Sequence, residues 1–392
     1  MSETIELDNL LAALRRWPDV VAPNLFAVDA ADRLLLDTCD AQLAADGSSW
    51  ERSLSVVGDH YGALTLGALA LGARQVLVHT DSLTSRRAIE ANARRLLPDL
   101  VQRIEFRPLQ TVAADSTLLL MALPRGLDVL AEQVHAIAAA AAPELVLHAG
   151  GRIKHMNRSM NQVFDEHFAR LDVSLARQKS RVLTARRIRD VLPASRFPVS
   201  ATHSVAGVDV NLRAGAATFG SARLDPGTRL LLEHLPDLSG AERLLDLACG
   251  NGSIGIVAAL RYPRLRVDAS DHSASAVAST RAGAQANGLA ERITVVQDDG
   301  LSRLPDASAQ LITLNPPFHI GNTVTADIAF KLIDEAARVL ADGGQLICVF
   351  NSHLRYRGEL ERRVGPTQQL ARDKTFTVTA STRVRSRVGT AR

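Results

Sequence analysis

Leu244-Leu245-Asp246-Leu247-Ala248-Cys249-Gly250-Asn251-Gly252-Ser253-Ile254-Gly255-Ile256-Val257-Ala258-Ala259-Leu260 decides the fold of this chain: a buried strand, a glycine loop and an apolar helix, with Pro263 just past the helix end. Glycines at such a turn let the backbone approach a ligand over the helix N-terminus. Downstream, Leu265–Ser270 forms a second strand ending at Asp271, where an acid can grip a ribose diol. Ser273 starts a helix that stops near Asn287-Gly288. Ile293–Gln297 is a third strand leading to Asp298-Asp299-Gly300, and Ala309–Leu314 a fourth. Apolar residues at Ile328, Leu332, Ala336 and Val339 mark a helix from Ala326 to Leu340 that Asp342-Gly343-Gly344 ends, and Gln345–Phe350 is a fifth strand. Strands alternating with helices predict a parallel, doubly wound α/β sheet. Ligands of such sheets bind beyond the carboxyl ends of the strands, so the glycine loop, Asp271, Asp299 and the residues after Leu314 converge on one edge.

Those residues are Asn315-Pro316-Pro317-Phe318. Each proline fixes its own φ and restricts the residue before it. The Asn315 amide oxygen and the Pro316 carbonyl then stand side by side, with the Phe318 ring next to them. Two acceptors and a stacking surface suit a planar group that bears an amine.

Composition bounds the rest. At 392 residues with 46% hydrophobic content, the chain has room for two domains. No apolar run of about 18 residues appears, and the N-terminus is acidic, so we expect a cytoplasmic protein without a membrane span or secretory signal. Cys39, Cys249 and Cys348 lack metal-ligand or disulfide spacing, and no metal is expected. Net charge is only +3, but residues 152–189 hold ten basic residues against Asp165, Glu166 and Asp172. Arg372, Lys374, Arg383, Arg385, Arg387 and Arg392 crowd the C-terminal tail. Such clusters fit a phosphate backbone.

The first half repeats the second in worn form. Ser55–Leu64 has the same strand, loop and helix, and Gly62 falls on Gly252 at the offset that also places Asp81 on Asp271. Val56 replaces Asp246, and Leu123-Pro124-Arg125-Gly126 follows the strand Leu118–Ala122 where the later copy has Asn-Pro-Pro-Phe. We expect no cofactor in this first copy.

Asp246-Leu-Ala-Cys-Gly-Asn-Gly252, Asp271 and Asn315-Pro-Pro-Phe318 together resemble the amino-group branch of the class I S-adenosylmethionine-dependent methyltransferases. The duplicated layout, Asp59-His-Tyr-Gly-Ala-Leu64, and Leu224-Asp225-Pro-Gly227 before Leu230-Leu231-Leu232 resemble more narrowly the bacterial rRNA guanine-N2 methyltransferases RlmG and RsmC, over nearly the whole chain. Length and the basic 152–189 stretch look more like the large-subunit enzymes.

The resemblance implies two tandem class I methyltransferase (Rossmann-like, doubly wound) α/β domains. Residues 1–192 would be a degenerate domain for RNA recognition and 200–392 the catalytic domain. The cofactor is S-adenosyl-L-methionine. Asp246, Gly250 and Gly252 would line its methionine part, Asp271 would hold the ribose, and Asp299 would face the adenine amine, with neighbouring Asp298 as the other candidate. Asp225 and Gly227 become pocket residues, although Asp225 also suits a helix N-cap. Ala248 stands where the family more often has glycine.

Asn315, Pro316, Pro317 and Phe318 are then the catalytic residues, acting on an unpaired or flipped guanine N2 amine of 23S rRNA. Lys154, Arg158, Arg177, Lys179 and Arg181 would hold RNA, and a monomer suffices. His319 suits a structural or phosphate contact, and Cys249 a packed loop residue. Three other functions stay open on sequence: small-subunit rRNA methylation, protein-glutamine methylation, and rRNA binding without catalysis.

Overall fold

The computed structural model describes residues 6–19, 25–317 and 323–384. Phe318, His319 and the tail from residue 385 lie outside them. The chain divides into two compact units, Met1–Arg196 and Phe197–Arg392.

Unit 1 runs α1 (Leu7–Ala13), α2 (Ala30–Ala45), β1 (Ser53–Val57), α3 (Ala63–Ala70), β2 (Gln75–His79), α4 (Leu83–Leu96), β3 (Ile104–Phe106), β4 (Leu118–Ala122), α5 (Leu127–Ala140), β5 (Val146–Arg152), α6 (Arg158–Asp165), β6 (Phe168–Val173) and β7 (Ser180–Ile188). Its strands form one sheet in the order β3-β2-β1-β4-β5-β7-β6. Unit 2 opens with a hairpin, β8 (Val199–Val205) and β9 (Val208–Ala214), then α7 (Pro226–Glu233). It continues β10 (Arg243–Leu247), α8 (Ser253–Arg261), β11 (Arg266–Asp271), α9 (Ala274–Ala286), β12 (Ile293–Gln297), β13 (Ala309–Leu314), α10 (Thr323–Val339), β14 (Leu340–Asn351), α11 (Arg357–Arg363), β15 (Thr367–Arg372) and β16 (Phe376–Thr382). The main sheet, β12-β11-β10-β13-β14-β16-β15, repeats the order of unit 1.

The physical basis of both sheets is the same. Central strands such as β10, with Leu244, Leu245, Asp246 and Leu247 all buried, are covered on both faces by helices, which demands continuous apolar runs. Helix α8 is buried along most of its length and packs with α7 and the sheet around Leu231, Ile256 and Val267. Gly62 (φ +98°) and Gly252 (φ +77°) take the same left-handed conformation immediately before α3 and α8, as a shared loop design requires.

Three differences from the sequence reading are physical. The sheets are mixed: β7 and β16 enter antiparallel beside β5 and β14, and β6 and β15 pair antiparallel with them in turn. Strand β14 begins at Leu340 rather than at Gln345, because Leu340 already pairs with Ala309 across a register shift. The β8–β9 hairpin was not anticipated; its β9 packs against α9. Among the described residues no helix is long and apolar enough to cross a membrane.

Candidate active site

The site of unit 2 starts at the ends of β10, β11 and β13. Leu247 pairs with Ser270 on one side and Leu314 on the other, so Ala248, Asp271 and Asn315 leave the sheet level with one another. The loop between β10 and α8 puts Ala248 (φ +57°), Gly250 (φ +57°) and Gly252 (φ +77°) in the left-handed region. For Ala248 that costs about 1–2 kcal/mol, which a glycine would avoid. A Cβ on Gly250 would meet nothing within 4 Å, so the loop backbone there faces open space. The Gly250 N–H donates to Asp271 Oδ2 (3.0 Å), and the Thr280 hydroxyl donates to the Gly250 carbonyl (3.0 Å). Asp271 also accepts from the Ser273 N–H (2.9 Å) and remains half-buried, so its carboxylate is both loop anchor and candidate ribose ligand.

Asp246 corrects an expectation. Its carboxyl does not line a cleft: the residue is 1% exposed, and it accepts from the Gly255 N–H and the Thr313 hydroxyl, each at 3.0 Å. It ties β10 to the start of α8 and to β13 from beneath. Burial pushes this carboxyl up to about 7, against the pull of the Thr313 and Gly255 donors. Because the folded value lies above the ordinary carboxylate's, the folded chain binds the extra proton, and Asp246's contribution to stability falls as pH rises from about 4 to about 7. Asp246→Asn keeps an acceptor for Gly255 and is neutral throughout. Its melting temperature relative to wild type should therefore be higher at about pH 8 than at about pH 5; a difference independent of pH contradicts the burial account.

Cys249 is buried against Thr280, and burial together with Asp271 and Asp246 holds its thiol well above its ordinary value, so it is no nucleophile. The two acids after β12 separate cleanly. Asp298, 2% exposed, closes its own turn by accepting from the Asp299 and Arg303 N–H groups and the Ser302 hydroxyl. Asp299 is half-buried, and its carboxylate holds Lys331 Nζ at 2.6 and 2.7 Å.

Asn315 is the most constrained polar group. Its Nδ2 donates to Asp225 Oδ2 (3.1 Å) and to Thr228 Oγ1 (2.9 Å), which uses both amide hydrogens and fixes the amide's orientation. Its Oδ1 is buried with no hydrogen-bond partner among the described residues. An acceptor left in that state costs about 1–3 kcal/mol until a donor reaches it. Asp225 is at once the N-cap of α7, accepting from the Thr228 N–H (2.9 Å), and the anchor of Asn315. A Cβ on Gly227 would meet the Phe376 ring at 2.9 Å, so glycine is required for α7 to seat there. Pro316 is buried and Pro317 exposed. Asn251 donates to the Ser221 and Arg223 carbonyls (2.9 Å each), which staples the segment before α7 onto the glycine loop.

Unit 1 lacks these groups. Leu123 follows β4 where Asn315 follows β13, and His60 and Tyr61 take the places of Gly250 and Asn251. Asp59 accepts from the Gly62 and Thr65 N–H groups (3.0 and 2.8 Å), while Arg16 covers the Tyr61 ring at 4.6 Å. Among the proposed RNA contacts, Lys154, Arg158 and Lys179 are exposed. Arg177 is exposed and pairs with Asp37 at 2.7 Å, and Arg181 is half-buried with its Nε shielded and unpartnered. No group of three His, Cys, Asp or Glu able to hold a metal occurs among the described residues.

The family model described as the methyltransferase small domain matches residues 209–380, and the one described as the RLMG N-terminal domain matches residues 2–189. The ribosomal RNA large subunit methyltransferase G of Streptomyces avermitilis is 36% identical over 377 residues, 93% of this chain and 95% of that protein. This chain belongs to the ribosomal RNA large subunit methyltransferase G family. The Stutzerimonas stutzeri member is 34% identical over 372 residues, 94% of this chain and 96% of its own. The solved T. thermophilus 16S rRNA N2 methyltransferase RsmC, in complex with AdoMet and guanosine, shares the fold with a TM-score of 0.71 over 95% of this chain and 94% of that one, at 22% identity.

Several groups of the methyltransferase G site escaped the sequence reading. Thr228, Thr313, Asn251, Thr280 and Lys331 all hold a singled-out residue or loop in place.

Proposed function

We infer that this chain methylates the exocyclic N2 amine of a guanine in large-subunit ribosomal RNA, with S-adenosyl-L-methionine as donor. The curated relatives are named ribosomal RNA large subunit methyltransferases, and the fold's solved neighbour is a guanine-N2 enzyme described with AdoMet and guanosine. The observation that carries the chemistry is the orphaned Asn315 Oδ1, oriented by Asp225 and Thr228.

When bound, the cofactor supplies an electrophilic sulfonium methyl. The open backbone at Gly250 and the half-buried Asp271 and Asp299 carboxylates fit its methionine, ribose and adenine parts in turn. Asn315 Oδ1 and the Pro316 carbonyl accept the two N–H hydrogens of the guanine amine. That draws the amine out of conjugation with the ring and aims its lone pair at the methyl group. Donation from the Asn315 amide to the Asp225 carboxylate polarises the amide and strengthens its oxygen as an acceptor. As the bond from N2 to the methyl group forms, the sulfonium–methyl bond breaks, and the methylated amine, cationic and strongly acidic, releases one proton to solvent; orientation and electrostatics carry the rate, and no dedicated general base is needed. Phe318, outside the described residues, supplies the ring for stacking, a contact worth about 1–3 kcal/mol.

A base within a duplex does not reach such a pocket, so the guanine is unpaired or flipped out. All of these groups belong to unit 2 of one chain, so a monomer in the cytoplasm suffices.

Thr228→Val removes one of the two anchors of Asn315. We expect kcat to fall about threefold to tenfold, the worth of one hydrogen bond, with the cofactor Kd unchanged and Thr228→Ser restoring the rate. A fall in cofactor affinity instead would place Thr228 in the binding site. The function itself is tested by giving purified protein, labelled cofactor and unmodified ribosomal RNA, then mapping the product nucleoside. N2-methylguanosine in large-subunit RNA is expected. Methyl on a release-factor glutamine, or none on RNA, contradicts the reading.

A further inference from the structure

We infer that the strand-end edge of unit 1, the counterpart of the amine-acceptor edge in unit 2, has been rebuilt as a phosphate-binding surface for an RNA backbone. This rests on the RNA reading above and assigns the surface that serves it.

Strands β4 and β5 are neighbours, with Ala122 opposite Gly150 and the Leu123 N–H donating to the Gly150 carbonyl (2.8 Å). Beyond them the chain reads Leu123-Pro124-Arg125 on one side and Arg152-Ile153-Lys154-His155 on the other. A leucine thus stands in the place of the amide, and cations crowd the position where a base amine would be read. Arg125 and Lys154 are exposed and have no acidic partner among the described residues, while Arg152 has Asp29 at 3.5 Å. The Ile153 N–H donates to the Lys179 carbonyl (2.9 Å), which brings the exposed tip between β6 and β7 alongside. Partial burial, then the charges of Arg125, Lys154 and Arg152, holds the His155 imidazole below its ordinary value, as expected where these cations share one patch.

The tip carries a second, independent signal. Gln178 (φ +51°) and Lys179 (φ +58°) are consecutive left-handed residues between the paired Arg177 and Ser180. A two-residue turn of this kind favours asparagine and glycine, and other side chains are strained there. Strain that is retained at an exposed site points to a use for the side chain. Here the strained residue is a lysine whose backbone carbonyl accepts from Ile153, between Arg152 and Lys154 in the chain. Arg125, Arg152 and Lys154 against the Asp29 carboxylate, at the carboxyl end of a sheet, match the repeating charge of a nucleic-acid backbone.

The test uses the full chain and a short mixed-sequence single-stranded RNA, with binding followed across salt concentration. Arg125→Ala with Lys154→Ala should weaken binding about tenfold or more and flatten the slope of log K against log salt by about one to two units. Cofactor affinity should be unchanged. Lys179→Gly separates binding from folding: it should keep or raise the melting temperature, because glycine relieves the left-handed strain, yet still weaken RNA binding. Wild-type affinity and slope in both variants overturn the surface while leaving the RNA reading intact. No salt-dependent RNA binding by wild type overturns both.

Discussion

Asn315→Ala should lower kcat about a hundredfold or more and leave the cofactor Kd within about threefold. The size follows from removing an acceptor used as charge develops on the amine, where loss of a single oriented group costs about 10²–10³ in rate. The near-constant Kd follows from the site's division of labour, since the loop, Asp271 and Asp299 do not depend on the Asn315 amide. The variant also leaves Asp225 Oδ2 and Thr228 Oγ1 without their donor, so a modest drop in melting temperature accompanies it. Single-turnover methyl transfer together with cofactor titration checks both halves. A variant that turns over like wild type ends the acceptor mechanism; one that fails to bind cofactor moves Asn315 to a binding role.

Gly252→Ala has the next largest effect, and its partner Gly62→Ala shows how the two copies differ. At Gly252 a Cβ would sit 2.7 Å from Thr280 Cγ2 and 2.9 Å from its Oγ1, at φ +77°. Thr280 must move, and with it goes the hydrogen bond that holds the Gly250 carbonyl. Stability should fall by about 1–3 kcal/mol, and cofactor Kd should rise about tenfold or more as the loop loses its shape. At Gly62 the same Cβ meets Leu66 Cδ1 at 2.8 Å, the far end of a flexible side chain, at φ +98°. That variant should lose stability without losing cofactor affinity. Calorimetric titration of both variants decides; weaker cofactor binding in Gly62→Ala would mean that unit 1 takes part in holding the cofactor.

Much of the framework was legible because the forces that set it are local. Short apolar runs gave β4, β12 and β13 at their observed limits, and the glycine loops announced themselves by composition. The antiparallel entry of β7 and β16 was not legible, since nothing in a strand's own residues names its neighbour. Motif resemblance put Asp246 on the cleft wall, whereas its hydrogen bonds to Gly255 and Thr313 put it underneath. Thr228 was hidden for a different reason: its partner Asn315 lies 87 residues away in the chain, and no local pattern reports such a contact. Asp225 was legible as a helix cap, and the geometry adds that the same carboxylate anchors Asn315.

The central claim is that Asn315 presents its oxygen, not its NH2, to the guanine amine. A crystal structure of the chain with demethylated cofactor and a guanosine-containing RNA tests it most directly. The account predicts the N2 nitrogen within about 3.2 Å of both Asn315 Oδ1 and the Pro316 carbonyl oxygen, with Asn315 Nδ2 still donating to Asp225 and Thr228. An amine bound to other groups, or an Asn315 amide released from Asp225 and turned the other way, contradicts it.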